Sequence, residues 1–187
     1  MKRLLQLCKS ILFSPAVLLL YITCGSKQRG VINKDLLSWC EWKSVKKGPI
    51  GLLKLYAIYP EFRSVYYYRT KPVSSLLSSL IKGVPCLYFR SNSIGDGLLI
   101  QHGFATIIDA ERIGNNCKIF QQVTIGFNDD KRPIIGNNVT ICCGAKVIGG
   151  VTVGNNVIIG ANAVVVHDVP DNCVVGGVPA KIIKNQL

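Results

Sequence analysis

The sequence of 187 residues contains only two histidines, His102 and His167, and this scarcity restricts its chemistry. A zinc site built from three histidines cannot be assembled even from both of them. None of the eight cysteines lies in a CxxC pair or at another spacing typical of metal ligands. The sequence therefore predicts no metal site, and we expect the cysteines to be reduced residues that pack in the interior.

Charged residues are also scarce, at 17% of the chain, and they are divided unevenly. Residues 1–90 contain 15 Lys and Arg against three acidic residues, whereas residues 91–187 contain seven of each. This division predicts two regions with different roles. No nucleic-acid-binding motif accompanies the basic half, so we interpret it as a helical packing module with its basic residues on the solvent side. Its charge also suits an anionic membrane or a phosphate-bearing substrate.

No hydrophobic run is long enough to span a membrane comfortably. The apolar run Ile11–Cys24 has 14 residues, contains Pro15 and is followed by no small-x-small cleavage site. We predict that residues 1–24 form a buried helix or a helix on the membrane surface, and the basic residues before the run favour the surface. The protein is predicted to be cytoplasmic, with peripheral contact at the inner face of the membrane as an extension of that interpretation.

An aliphatic residue returns every six positions in the second half of the chain. These twelve Ile and Val residues are Ile94, Ile100, Ile107, Ile113, Ile119, Ile125, Ile135, Ile141, Val147, Val153, Ile159 and Val165. A period of six fits neither a helix nor a simple strand, but it is typical of a solenoid of short strands and tight turns. The recurring GNN motif suits such turns because Gly and Asn tolerate left-handed backbone conformations. One extra residue near His102 shifts the phase, and the segment 127–134 interrupts the series.

These repeats, with the closing sequence IGANAVVVHDVPDNCVVGGVPAKIIK, resemble the hexapeptide acyltransferases. The segments IQHGFATII and IFQQVTIG are most similar to the serine O-acetyltransferases and their capsule-glycan relatives. The resemblance covers residues 94–184 and implies a mainly β fold: a left-handed parallel β-helix with a C-terminal tail at 87–187, after a helical basic region at 1–86. It also implies a homotrimer with active sites between neighbouring subunits, which the apolar side of such a solenoid favours.

His102 is the candidate catalytic residue. Acetyl transfer to a hydroxyl needs a base, and neutral imidazole is the natural one near neutral pH. His102 lies at the phase break, and it matches the family's catalytic histidine in a QHG-like motif. We predict direct transfer, in which His102 takes the hydroxyl proton as the oxygen attacks the thioester of acetyl-CoA and then returns it to the CoA thiolate. Cys142 or Cys143 as an acylated nucleophile is the alternative, although packing is the preferred role for both.

The remaining candidate residues come from the resemblance. It implies that acetyl-CoA is contacted near Gly126, Cys143, Ala161, Val166, His167 and Lys184, the last at the nucleotide phosphates. On the acceptor side, Leu87 and Arg132 occupy the positions of a family aspartate and a second family histidine, which argues against L-serine as the acceptor. Arg132 is predicted either to contact a hydroxyl, carboxylate or phosphate of the substrate or to be a solvated loop charge.

We therefore predict an acetyl-CoA-dependent O-acetyltransferase that acts on a sugar of a surface polysaccharide or its precursor. The alternative enzyme is a serine O-acetyltransferase of cysteine biosynthesis. A hypothesis of another class is a non-catalytic trimeric β-helix scaffold, which would keep the solenoid but would not need His102.

Overall fold

The structure, a computed structural model, describes residue 8 and residues 12–91 and 93–185. The chain divides into two compact units, Met1–Val84 and Pro85–Leu187. Residues 1–7 and 9–11 of the predicted surface helix at 1–24 lie outside the described residues, and the described remainder includes a helix at Ser14–Thr23. Membrane contact stays a prediction. Among the described helices, of which the longest has 17 residues, none is long and apolar enough to span a bilayer.

The first unit is helical, as predicted. Its described helices are α1 (Ser14–Thr23), α2 (Ser26–Trp42), α3 (Pro49–Ile58), α4 (Pro60–Thr70) and α5 (Ser75–Leu80). A proline lies in the first turn of α1, α3 and α4, where its missing N–H has no intrahelical partner to lose. Buried aromatic side chains hold the helices together, among them Trp39 against Phe62 with ring centroids 5.5 Å apart.

The expectation that the basic residues face solvent is wrong for two arginines of α4. Arg63 is fully buried and donates to the carbonyl oxygens of Tyr56 at 2.7 Å, Ala57 at 3.2 Å and Lys82 at 3.1 Å. Arg69 is also buried, and its Nε lies 2.8 Å from Oδ2 of buried Asp35. The physical reason differs between the two. Arg63 supplies a donor to the carbonyls at the end of α3, which have no intrahelical donor, whereas Arg69 is held by the buried carboxylate of Asp35.

The second unit is a solenoid with three parallel sheets. Its strands are β1 (Leu87–Phe89), β2 (Leu99–Ile100), β3 (Thr106–Ile108), β4 (Arg112–Ile113), β5 (Lys118–Ile119), β6 (Thr124–Gly126), β7 (Ile134–Ile135), β8 (Thr140–Ile141), β9 (Lys146–Ile148), β10 (Thr152–Val153), β11 (Ile158–Ile159), β12 (Val164–Val165), β13 (Cys173–Gly176) and β14 (Lys181–Asn185). The first sheet is β1-β3-β6-β9-β12, the second β4-β7-β10 and the third β2-β5-β8-β11-β13-β14. Only β14 pairs antiparallel, against β13. The predicted left-handed parallel β-helix is confirmed.

Three corners join these sheets. The His102 corner holds the turns 101–105, 120–123, 142–145 and 160–163. The loop corner holds 109–111, 127–133, 149–151 and 166–168. The asparagine corner holds 95–98, 114–117, 136–139, 154–157 and 170–172.

The six-residue series predicts the interior correctly except at one position. Eleven of the twelve anchors are at most 8% exposed, but Ile107 is 38% exposed. Its neighbour Ile108 is fully buried and pairs with Ile125 on the next coil. The turn at the His102 corner is therefore longer than the sequence series assumed, and it moves the inward side chain from Ile107 to Ile108.

The first asparagine of each GNN motif caps the backbone of the coil before it. Asn137 Oδ1 accepts the backbone N–H of Asn115 at 2.8 Å, and Asn155 Oδ1 accepts that of Asn137 at 2.8 Å. Asp171 continues this ladder by accepting the N–H of Asn155 at 2.7 Å, which lowers the pKa of the Asp171 carboxyl. The ladder satisfies backbone donors that the tight turns leave without a sheet partner.

The second asparagine carries the left-handed conformation, and the glycine has a different role from the one expected. Asn116, Asn138 and Asn156 have φ between 55° and 56°. Gly136 does not have a positive φ, but a Cβ there would lie 2.6 Å from the carbonyl oxygen of Gly154. Glycine is required in this motif because the coils approach closely, whereas Asn supplies the left-handed turn.

Candidate active site

His102 lies in the longest turn of its corner, directly after β2. Its φ is 62° and that of Gly103 is 67°, so the chain turns sharply there, and Gly103 N–H donates to the carbonyl of Gln101 at 2.7 Å. Gln101 N–H in turn donates to the carbonyl of Ile119 on the next coil at 2.8 Å. This left-handed turn leaves the His102 side chain exposed outside the packed coil, as the phase break predicted.

The imidazole of His102 lies within hydrogen-bond distance of the neighbouring Gln101. Gln101 Nε2 lies 2.9 Å from His102 Nε2. An amide nitrogen can only donate, so in this arrangement Nε2 is the acceptor. A hydroxyl that replaced the Gln101 amide would lie beside this ring nitrogen, which is the position that a general base requires.

Leu87 occupies the position at which the resemblance implies a carboxylate for this histidine. It lies half-buried in β1, where it pairs with Thr106. A hydrocarbon side chain makes no hydrogen bond to imidazole, so Leu87 cannot orient His102 as a carboxylate could.

The predicted CoA residues fall into separate groups along the solenoid. The strand register places Cys143 and Ala161 two residues after the paired Ile141 and Ile159, so they stack along the His102 corner. Gly126 ends β6, and Val166 and His167 follow β12, so these three are at the loop corner. The first sheet separates the two groups within one chain. Lys184 lies apart from both, exposed on β14 opposite Val174.

Arg132 belongs to the loop that interrupts the repeat. Asn128 and Lys131 exchange two backbone hydrogen bonds at the neck of this loop, at 3.1 and 3.0 Å, and Asp129 and Asp130 turn with left-handed conformations at its tip. Arg132 Nε donates to Oδ1 of Asp109 at 2.8 Å. Its guanidinium also lies 5.3 Å from the ring centroid of Phe127. The interpretation of Arg132 as a merely solvated charge is therefore wrong, because it is held by a carboxylate and a ring.

A cleft of about 410 Å³ adjoins Arg132 at the loop corner. Its lining residues are Glu111, Asp130, Lys131, Arg132, Ile134 and Gly150. The cleft thus carries cationic and anionic side chains side by side. His102 is not among its lining residues, since it lies at another corner of the same chain.

The expectation that the cysteines pack in the interior holds for Cys40, Cys117 and Cys173, which are buried, but it is wrong for Cys8 and Cys86, which are exposed. Burial raises the pKa of the Cys142 thiol, the neighbouring Cys143 adds to the shift, and Lys118 opposes it. Burial also raises the pKa of the Cys117 thiol to about 11. Thiols with raised pKa values are protonated near neutral pH and are weak nucleophiles. Across residues 12–91 and 93–185, no group of three His, Cys, Asp or Glu side chains is arranged to hold a metal ion.

Sequence reasoning missed two residues of this site, Gln101 and Asp109. Gln101 is adjacent to His102, so its proximity was a usable signal. Asp109 is 23 residues from Arg132 in the chain and outside the repeat's anchor positions, so only the folded coils bring the two together.

Comparison with known proteins agrees with the fold. The model of the family described as bacterial transferase hexapeptide (six repeats) matches residues 132–167. The serine acetyltransferase of Synechococcus elongatus is 33% identical over 146 residues, which cover 70% of this chain and 60% of that protein. The serine acetyltransferase of Helicobacter pylori is 33% identical over 159 residues, which cover 82% of this chain and 92% of that protein. The chain thus spans about three fifths of the cyanobacterial relative and most of the other.

The solved structures give the same result. The crystal structure of Neisseria gonorrhoeae serine acetyltransferase superposes with a TM-score of 0.72 at 25% identity, covering 87% of this chain and 68% of that one. The superposition covers 87% of this chain, which is more than the repeat region contains, so it extends into the helical unit. The chain belongs to the hexapeptide-repeat transferase family, in its serine acetyltransferase-like branch.

Proposed function

We propose that this protein transfers the acetyl group of acetyl-CoA to the side-chain hydroxyl of L-serine, with His102 as the general base. The observation that carries the proposal is the 33% identity to a serine acetyltransferase over 92% of that protein's length. The comparisons favour this acceptor over the polysaccharide sugar predicted from the sequence, because the relatives found are serine acetyltransferases. The sugar acceptor is therefore replaced by the alternative.

In the proposed mechanism, the chain's own groups move one proton twice. The acceptor hydroxyl replaces the Gln101 amide at Nε2 of His102, which removes the hydroxyl proton as the oxygen attacks the thioester carbonyl. The imidazolium then returns this proton to the sulfur of the departing CoA. General-base assistance of this kind contributes roughly 10² to 10⁴ in rate. Cys142 takes no part, because its raised pKa keeps the thiol protonated.

We propose that acetyl-CoA binds at the residues that the resemblance implies, which are Gly126, Cys143, Ala161, Val166, His167 and Lys184. Cys143 and Ala161 are small, so they leave room beside the His102 corner for an extended arm to contact the backbone. Lys184 is exposed and not engaged in a salt bridge within the described chain, which suits a point charge that meets phosphates.

A homotrimer follows as part of the proposal. One chain holds His102 and Arg132 at different corners, so a site that uses both needs the loop corner of a second copy beside the His102 corner of the first. The first sheet offers apolar surface for such packing, since Tyr88 is 51% and Ile107 38% exposed, and Val166 just after β12 is 42% exposed. Light scattering on purified protein tests the prediction, and a monomer that retains full activity would contradict it.

The basic helical region, proposed at residues 1–86, has a surface suited to membrane contact. Exposed leucines on α1 and α5, with Leu19 at 62% and Leu76 at 74%, support contact with an apolar or membrane surface. We propose that this region contacts anionic membrane at the inner face of a cytoplasmic location. Removal of residues 1–24 should reduce binding to acidic vesicles, and binding that ignores salt concentration would contradict the electrostatic part.

The decisive experiment incubates purified protein with acetyl-CoA and L-serine and detects O-acetylserine by mass spectrometry. A thiol reagent is unsuitable because the protein has eight cysteines. His102→Ala should lower turnover by roughly 10² to 10⁴ with an unchanged melting temperature, since the side chain is exposed and the loss is that of the base.

Other outcomes separate the remaining hypotheses. No product from wild-type protein that still binds acetyl-CoA would contradict L-serine and direct the assay to sugar acceptors. If no sugar is acetylated and acetyl-CoA is not bound, the scaffold hypothesis is favoured.

A further inference from the structure

The ion pair between Asp109 and Arg132 joins two different parts of the solenoid. Asp109 directly follows β3, its backbone N–H donates to the carbonyl of Ile125 at 2.9 Å, and it is only 5% exposed. Arg132 lies on the loop, and its side chain is 45% exposed. A buried carboxylate is costly without a partner, so the Asp109 carboxylate on the coil pairs with the loop side chain of Arg132.

The contact uses the base of the guanidinium and leaves its outer end available. Asp109 accepts from Nε, and the ring of Phe127 lies 5.3 Å from the guanidinium carbon. Over the residues that the structure describes, no hydrogen-bond partner is found for Nη1 or Nη2 of Arg132. An outer pair of N–H donors held in this way matches the geometry of a carboxylate.

The adjoining cleft has the charges that an amino acid needs. Lys131 and Arg132 provide cationic groups, while Glu111 and Asp130 provide anionic ones. An α-amino acid carries one carboxylate and one ammonium group, so both kinds of lining side chain find a partner. A neutral sugar would leave these charges without counterparts.

We propose that Asp109 is a positioning residue, which orients Arg132 so that its outer N–H groups bind the carboxylate of an amino-acid acceptor. This inference rests on the proposed function, since L-serine is the acceptor assigned there. Asp109 itself does not touch the acceptor. Asp109 acts through Arg132. Without the Asp109 carboxylate, the Arg132 guanidinium is still present, but its Nε loses the acceptor that orients it.

The test compares two acceptors, L-serine and L-serinamide, which differ in the charge of the group that Arg132 would bind. Steady-state kinetics are measured for wild type, Asp109→Ala, Arg132→Gln and the double variant. Asp129→Asn is the matched control, because it also removes one carboxylate of this region but from the loop tip, away from Arg132.

We expect Asp109→Ala to lower kcat/KM for L-serine by about tenfold, mainly through KM. Turnover of L-serinamide and the KM for acetyl-CoA should change by less than about twofold. Asp109→Ala should add no further loss in the Arg132→Gln background, and Asp109→Asn, which keeps an oxygen acceptor, should recover part of the loss. Asp129→Asn should behave as wild type.

Three results would overturn the inference: an unchanged preference for L-serine in Asp109→Ala, an equal loss for both acceptors, or the same loss in the Arg132→Gln background. Failure of the proposed function is distinguishable, because wild-type protein would then acetylate neither acceptor. In that case calorimetric titration with L-serine still decides the role of Asp109. Weaker binding by Asp109→Ala than by wild type supports it, and equal or absent binding in both contradicts it.

Discussion

Asn138 allows the two contributions of the GNN turns to stability to be separated. Its φ of 56° is left-handed, its Nδ2 donates to Oδ1 of Asn156 at 2.8 Å, and its Oδ1 accepts from Nδ2 of Asn116 at 3.3 Å. Asn138→Gly removes both side-chain hydrogen bonds but accepts the left-handed backbone. Asn138→Ala removes the same bonds and also places a Cβ in a disfavoured conformation.

The expected magnitudes follow from these contacts. Each side-chain hydrogen bond at this exposed position contributes about 0.5 kcal/mol, and a left-handed conformation costs an alanine about 1 kcal/mol relative to glycine. We therefore expect Asn138→Gly to lower the free energy of unfolding by about 1 kcal/mol and Asn138→Ala by about 2 kcal/mol. For a chain of this length, these losses correspond to melting temperatures lower by about 2–4 °C and about 4–8 °C.

Asn162 is the matched control. It has the same φ of 56°, but no hydrogen bond of its side chain is found within the described part of the chain. Asn162→Gly should leave the melting temperature nearly unchanged, and Asn162→Ala should show the backbone cost alone. Thermal unfolding of the four variants by circular dichroism measures both contributions. Equal melting temperatures for Asn138→Gly and Asn162→Gly would refute the reasoning, because the side-chain hydrogen bonds of Asn138 would then contribute nothing.

Two further predictions concern Cys142 and Arg63. Cys142→Ser should acetylate L-serine within about twofold of wild type in the mass-spectrometric assay, since the raised pKa of this thiol makes it a weak nucleophile; a loss above about a hundredfold would favour an acyl-cysteine route. Arg63→Met should lower the free energy of unfolding, measured with urea, by about 3 kcal/mol, because two buried carbonyls and one part-buried carbonyl lose their donor. An unchanged stability would mean that these carbonyls find other donors.

The solenoid could be predicted because its signal repeats. Twelve anchors at one spacing outweigh local preferences, and an error at Ile107 leaves the architecture intact. The phase at that position could not be read from the sequence, since Ile107 and Ile108 are both aliphatic and only the length of the turn decides which one faces inward. The helical unit gave no comparable pattern. Nothing local distinguishes Arg63, which meets the carbonyls of another helix, from a solvent-facing arginine.

The site was predictable only where its residues carry a local signal. His102 stands at the phase break, so its exposure could be foreseen. Arg132 was correctly singled out, but its partner was not, because the pairing with Asp109 depends on the stacking of successive coils. Residues that act in pairs across coils have no periodic signature in the chain.

The departures from the family pattern are connected. Leu87 removes the carboxylate that the resemblance implies beside the base, and the contact that remains on His102 comes from the uncharged amide of Gln101. An amide nitrogen that donates to Nε2 favours the neutral imidazole, whereas a carboxylate would stabilise the imidazolium that forms during the transfer. A carboxylate is present instead at Asp109, where it holds Arg132. If the proposed function is correct, this chain orients its acceptor more strongly than it assists its base, so its catalysis depends chiefly on holding the hydroxyl in place for attack.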